Sequence, residues 1–239
     1  MKIKQILKLL FSKENIFYTL IFLINLCIII VNRFINGFHK ILWLCDFSSI
    51  FGITNAIFAA KHKIQSLIFN LLSTLILIIT NTYQHIWLNA FTCLFICTPV
   101  LILGIIKWRK NEEKGNQNLN TLSKKTNIIA WSSYILVSIL FIFILKALNG
   151  NLYILDAFYS AGCVFGVILS SFAYINQFEF FIFANIFGII MYVLLTIQNI
   201  NNLPIAFMTI IYLILNIVSY INWRKLRKEM HKNNEEKLI

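Results

Sequence analysis

Apolar residues along the chain gather in eight runs, at about 15–32, 41–60, 64–81, 86–107, 127–147, 153–174, 178–198 and 203–223. A run of some 20 residues, coiled as a helix, is about as long as the ~30 Å hydrocarbon layer is thick. The pattern therefore predicts an all-α membrane protein with eight transmembrane helices, the lipid bilayer being its first partner. The short alternating segments of a membrane barrel are not visible. No small-residue cleavage site follows the first run, which reads as a retained helix. Polar residues mark the ends: Lys2, Lys4, Lys8 and Lys13 before the first run, Arg33 after it, Lys61-His62-Lys63 after the second. Lys107-Trp108-Arg109-Lys110 closes the fourth run and Trp223-Arg224-Lys225 the eighth, and 109–126 is the only long polar connector.

The two halves of the pattern match each other. Asn70 to Trp108 and Asn185 to Trp223 are both 38 residues, and an offset of 115 lays the fourth run on the eighth without a gap. Asp46 and Asp156 open equivalent runs, and Phe51-Gly52 roughly matches Phe165-Gly166. Identity elsewhere is near chance, so the signal is spacing and hydropathy. Four runs per half is an even number, so each half starts and finishes on the same side. Such repeats are parallel, related by an axis along the membrane normal, and place a substrate site between them near mid-membrane.

Within the runs, Phe178, Phe181, Asn185, Gly188 and Tyr192 recur at steps of three and four and share one helical stripe. Asn185 lies roughly 10 Å below the start of its run, and an amide at that depth needs a partner: another helix, water or a ligand. Other runs also carry polar or small faces: Ser48, Gly52, Asn55 and Ala59; Ser66, Asn70 and Ser73; Asp156, Tyr159, Cys163, Gly166 and Ser170; Tyr212, Asn216, Ser219 and Trp223. For single serines and glycines, helix–helix packing is the plainer reading. The amides Asn55, Asn70, Asn185 and Asn216 can instead read both hydrogen-bonding edges of a heterocycle or carboxamide. With Phe178, Phe181 and Tyr212 they form a candidate substrate-binding set that stacks a flat ring and fixes its orientation.

Composition agrees with the pattern: 59% of residues are hydrophobic, 13% are charged, and the mean hydropathy is +0.77. The net charge of +12 does not point to nucleic acid, because the cations crowd the ends of apolar runs. With a cytoplasmic N-terminus, 18 of the 21 lysines and arginines fall inside and 3 outside, which predicts both termini in the cytoplasm. Asp46 and Asp156 then fall at outer helix ends and Glu179 at an inner one. They read as carboxylates in contact with water, or as an entrance favouring a cationic solute or a proton. Cys27, Cys45, Cys93, Cys97 and Cys163 all lie in apolar runs and read as small buried thiols, not metal ligands or a disulfide. Nucleotide-binding loops, metalloprotease motifs and serine-nucleophile motifs are absent from the sequence, so neither a cofactor nor an enzyme is expected.

Residues 41–228 resemble the PnuC family of vitamin transporters. The family's marker, Trp-x-x-Trp-x-x-x-Asn, has its spacing reproduced in Phe178-x-x-Phe181-x-x-x-Asn185, and both Trp-Arg-Lys ends accompany it. Phenylalanine in place of both tryptophans keeps the stacking face and removes the indole N–H donors. The resemblance implies two parallel three-helix repeats joined by a connector helix (3+1+3), with an extra helix in front. The division is then 1–40 for the N-terminus and extra helix, 41–110 for the first repeat, and 111–150 for a cytoplasmic loop and the connector. Residues 151–225 form the second repeat and 226–239 a charged tail. It also implies a bacterial cytoplasmic membrane, a homotrimer, and uptake of nicotinamide riboside by facilitated diffusion. Thiamine, riboflavin or a deoxynucleoside is the alternative cargo, and a non-transporting scaffold or receptor the alternative of another class.

Overall fold

The computed structural model of the protein describes residues 13–37, 40–113, 119–150 and 152–236. The basic flank at 1–12, residues 114–118 of the connector and the last three residues of the tail lie outside the described residues. The helices are α1 (Lys13–Asn36), α2 (Lys40–Ala60), α3 (Gln65–Tyr83), α4 (Trp87–Thr92), α5 (Thr98–Glu113), α6 (Lys124–Ala147), α7 (Tyr153–Ser171), α8 (Gln177–Gln198) and α9 (Leu203–Glu236). A π-helical turn, Cys93–Cys97, joins α4 to α5, and the three pieces make one span. Among the described residues, eight spans are then long and apolar enough to cross a membrane.

The π turn has a local cause. Pro99 has no N–H to give the Phe95 carbonyl, and its ring crowds that carbonyl in a regular helix. The chain widens instead. The Thr98 N–H reaches back five residues to the Cys93 carbonyl, and the Thr98 hydroxyl donates to the same oxygen at 2.7 Å. A widened turn of this kind is common at functional sites.

α2 packs along α3, and α7 along α8. α5 packs on α3, and α9 on α8. α9 also crosses to α2, and α5 crosses to α7. Each contact in the first trio of spans thus has a counterpart in the second. α7 is the most enclosed span and α6 the least. α6 docks from outside through aromatic rings: Trp131 stacks on Phe180 at 4.6 Å, and the Tyr134 hydroxyl donates to the Phe158 carbonyl. α1 lies against α2 and α9.

Three features differ from the sequence reading. Asp46 is buried at 2% exposure and forms an ion pair with Arg33 of α1, so it meets no water and offers no charge to a solute. Asp156 is also buried. It accepts a hydrogen bond from the Ser160 hydroxyl at 2.8 Å and lies by the Leu88 and Asn89 backbone N–H groups, where the positive end of α4 favours a carboxylate. The expectation of water-facing outer carboxylates failed because each has an internal partner whose contact spacing does not reveal. Cys27 is exposed on the outer face of α1, unlike buried Cys45, Cys93 and Cys97. Finally, α9 does not stop at the end of its apolar run but continues as helix to Glu236.

Candidate functional site

A cavity of about 90 Å³ lies between the two trios of spans. Asn55 of α2, Asn70 of α3, Phe178, Phe181 and Asn185 of α8, and Tyr212 and Asn216 of α9 all line it. These seven come from four different helices. Their convergence follows from stripes at steps of three and four on helices that cross one another. Asn89, Cys93 and Cys97 reach it from the α4–α5 span, and Tyr159 and Cys163 from α7. Every span of both trios contributes, while the lining includes no residue of α1 or α6.

The lining is polar without charge. Six carboxamides surround the space, from Asn55, Asn70, Asn89, Gln177, Asn185 and Asn216, and no lysine, arginine, aspartate or glutamate is among the lining residues. Some of these groups are already engaged. The Tyr212 hydroxyl faces Asn55 and Ser73, and the Ser73 hydroxyl donates to the Ser48 carbonyl at 3.1 Å. Asn89 donates to the Ser160 hydroxyl at 3.2 Å and accepts from Asn81 and the Cys93 thiol. Asn185 differs. It is 4% exposed, and its side-chain nitrogen is buried with no hydrogen-bond partner. Two donors of one amide thus face a cavity with nothing among the described residues to accept them.

The aromatic residues divide their roles. Phe178 is edge-on to Trp223 at 5.0 Å, so part of its face is committed to packing. Phe181 stacks on no other ring among the described residues and lies directly over Gly166. A Cβ on that glycine would come within 2.5 Å of the Phe181 ring. Gly52 performs the same service for Tyr212, whose hydroxyl and the Met208 sulfur fill the space a side chain would need. Glycine at both positions lets an aromatic residue reach the cavity.

Side chains cross both ends of the cavity. At one end Trp108 donates its indole N–H to the Ser170 carbonyl at 3.2 Å, and Trp223 donates to the Ala59 carbonyl at 2.8 Å. Each tryptophan, at the end of one trio, thus bonds the end of the first helix in the other. His62 lies between them, 5.1 Å from the Trp108 ring and 4.5 Å from the Trp223 ring. Burial there, with Lys63 nearby, pushes its pKa down to about 4. At the other end Asn81 donates to Asn89, the Tyr192 hydroxyl meets Asn81 at 3.4 Å, and Gln84 donates to Asn202 at 2.6 Å.

Asn89 and Gln177 were missed in the sequence. Both fall within a few residues of a span end, where an amide reads as an interfacial residue. The neighbouring Pro99 marked the fourth span as irregular, and that was the available signal for Asn89. Among the described residues, no three His, Cys, Asp or Glu side chains gather as a metal site.

The sequence model of the nicotinamide mononucleotide transporter family matches residues 42–225. The nicotinamide riboside transporter PnuC of Neisseria mucosa is 25% identical over 193 residues, covering 78% of this chain and 73% of the relative. The nicotinamide riboside transporter PnuC of Haemophilus influenzae is 26% identical over 196 residues, covering 78% and 81%. The crystal structure of the vitamin B3 transporter PnuC superposes with a TM-score of 0.73 at 23% identity, over 89% of this chain and 92% of that one, and so shares its fold. With a family match that spans all six helices lining the cavity, the chain belongs to the nicotinamide mononucleotide transporter family, that of the PnuC proteins.

Proposed function

We propose that this protein takes up nicotinamide riboside across the cytoplasmic membrane, binding it in the amide-lined cavity between the two trios of spans. The observation that carries the reading is the unpartnered Asn185 amide in a cavity whose lining bears no charge. The carboxamide of nicotinamide offers an oxygen to those donors and an N–H₂ to a neighbouring amide oxygen. Its pyridinium ring can lie against Phe181, with a cation–π contribution of roughly 1–2 kcal/mol when desolvated. The names of the two curated relatives support the same cargo.

The lining also favours the nucleoside over its phosphate ester. A phosphate carries up to two negative charges, and burying it without a lysine or arginine to pair it is unfavourable. The two trios are read as parallel repeats, supported by the reciprocal tryptophan–carbonyl bonds and the matching helix contacts. Both termini are read as cytoplasmic on the distribution of lysine and arginine. Transport is then facilitated diffusion, with the two crossed ends opening in turn.

A titration panel on one purified sample tests the cargo: nicotinamide riboside, its 5′-phosphate, thiamine, riboflavin and thymidine. The expected order puts nicotinamide riboside first, with the phosphate bound at least tenfold more weakly. Preferential binding of the phosphate ester would overturn the argument from the uncharged lining. Binding of riboflavin or thymidine alone would remove the cationic ring from the account.

A further inference from the structure

A second cleft, of about 670 Å³, opens away from the substrate cavity where α9 leaves its apolar run. Its walls are the first turn of α6 with the segment before it, the start of α8 with the turn before it, and α9 from Tyr220 to Lys228. Five cations line it, Lys124, Arg224, Lys225, Arg227 and Lys228, against one carboxylate, Glu179. That carboxylate is already occupied. It accepts from the Tyr220 hydroxyl at 3.0 Å and from the Asn176 amide at 3.1 Å, and it forms no ion pair with the five cations among the described residues.

Two buried atoms of residues that line this cleft lack hydrogen-bond partners among the described residues. The Nε of Arg227 is a charged donor out of contact with solvent and unpaired, and the side-chain oxygen of Asn127 is an acceptor in the same condition. The tendency of membrane proteins to hold lysine and arginine on one side explains why cations are here. It does not explain a concave site or a buried guanidinium donor, since cations held by that tendency alone stay solvated. An uncompensated donor of this kind is unfavourable unless an anion meets it. The depth is informative as well. Tyr220 and Ile221 belong to the last turn of the apolar run and Arg224 follows at once, so the cleft lies at the level of lipid headgroups.

We propose that this cleft binds a phosphate group, with Arg224 and Arg227 as its guanidinium ligands and Lys124 as a flanking cation. Arginine presents paired N–H donors that match phosphate oxygens. Asn127 then accepts from a hydroxyl next to the phosphate, as a glycerol or sugar provides. The phosphate has two sources of the same chemistry: the headgroup of an anionic phospholipid, or a soluble phosphate monoester from the cytoplasm.

The test uses the full chain, purified in detergent and stripped of lipid. Thermal midpoints are measured with phosphatidylglycerol, phosphatidylcholine, glycerol 3-phosphate or no addition. The expected result is a rise of about 5 °C with phosphatidylglycerol or with glycerol 3-phosphate, and little or none with phosphatidylcholine. A rise with the lipid alone assigns the site to the membrane, and one with the soluble ester assigns it to a cytoplasmic metabolite. The R224Q/R227Q variant should lose the rise while binding nicotinamide riboside as the unaltered protein does, which also shows that it is folded. R227K, which keeps the charge, should retain part of it. No rise with either anion overturns the proposal, as does an equal rise with phosphatidylcholine or a rise that survives R224Q/R227Q.

Discussion

The Asn185 side-chain nitrogen is buried with no partner among the described residues, and this gives its replacement two effects of opposite sign. Asn185→Leu removes that buried donor, so without added cargo the variant should be no less stable and is expected to gain up to about 1 kcal/mol. Under the proposed binding mode the same change removes an oriented hydrogen bond to the cargo and is expected to weaken binding by about ten- to a hundredfold. Thermal denaturation and calorimetric titration of one preparation check both. Lower stability with unchanged affinity would make Asn185 a packing residue. His62 supports a second residue-scale prediction. Its ordinary pKa of 6.5 falls to about 4 in the folded protein, between the two indoles and near Lys63. Between those values the unfolded chain binds a proton that the folded chain does not. The stability His62 contributes is therefore complete above pH 6.5 and is lost as the pH falls toward 4. His62→Gln should flatten the dependence of the thermal midpoint on pH across that window; an identical pH profile in the variant would contradict it. The sequence showed Asn185 clearly, because depth in an apolar run and a shared stripe with aromatic residues are properties of spacing. His62 gave no such signal, since its setting depends on two tryptophans 46 and 161 residues further along the chain.

The starts of the spans were legible to within a few residues because hydrophobic length alone decides where a helix can cross a bilayer, whereas α5 and α9 run on as helix past their apolar runs, to Glu113 and Glu236. What joins them was less so. α1 lies wholly ahead of the family match, which begins at residue 42, yet it is tied into the core twice. Arg33 pairs with Asp46, and the Ser49 hydroxyl donates to Asn25 at 2.9 Å. Arg33 at the end of an apolar run reads as a flank that faces headgroups, and only the neighbouring helix reveals an interior charge. Breaking a buried ion pair from one side leaves the other charge uncompensated. Arg33→Met is therefore expected to destabilise the protein by about 3–5 kcal/mol, and adding Asp46→Leu should recover most of that loss. Denaturation of the single and double variants in the same detergent tests the pair; a single variant as stable as the parent would show that the contact contributes little. Pro99 illustrates a partial signal. It foretells an irregular helix, but the sequence does not say that the irregularity takes the form of a π turn bringing Cys93 and Cys97 to the cavity.

At the scale of the whole molecule, the described residues form eight spans, six of them in two trios with an uncharged cavity where the trios meet. The spacing of the two halves led to the expectation of a site between them, and the cavity is lined from both. Trp108 and Trp223 also cross-link the trios, each bonding a carbonyl at the far helix end. The outer acids did not take the part of a cation-attracting entrance, because Asp46 and Asp156 are both buried inside the protein, one against Arg33 and the other against Ser160. Selection of the cargo then rests on the cavity. The direct test is substrate counterflow in proteoliposomes preloaded with unlabelled nicotinamide riboside and diluted into the labelled compound. The unaltered protein should accumulate label transiently above equilibrium without any imposed ion gradient, and Asn185→Leu should reduce that accumulation at least tenfold at a subsaturating label concentration. Failure of the folded, unaltered protein to accumulate label, or equal accumulation by Asn185→Leu, would contradict the account.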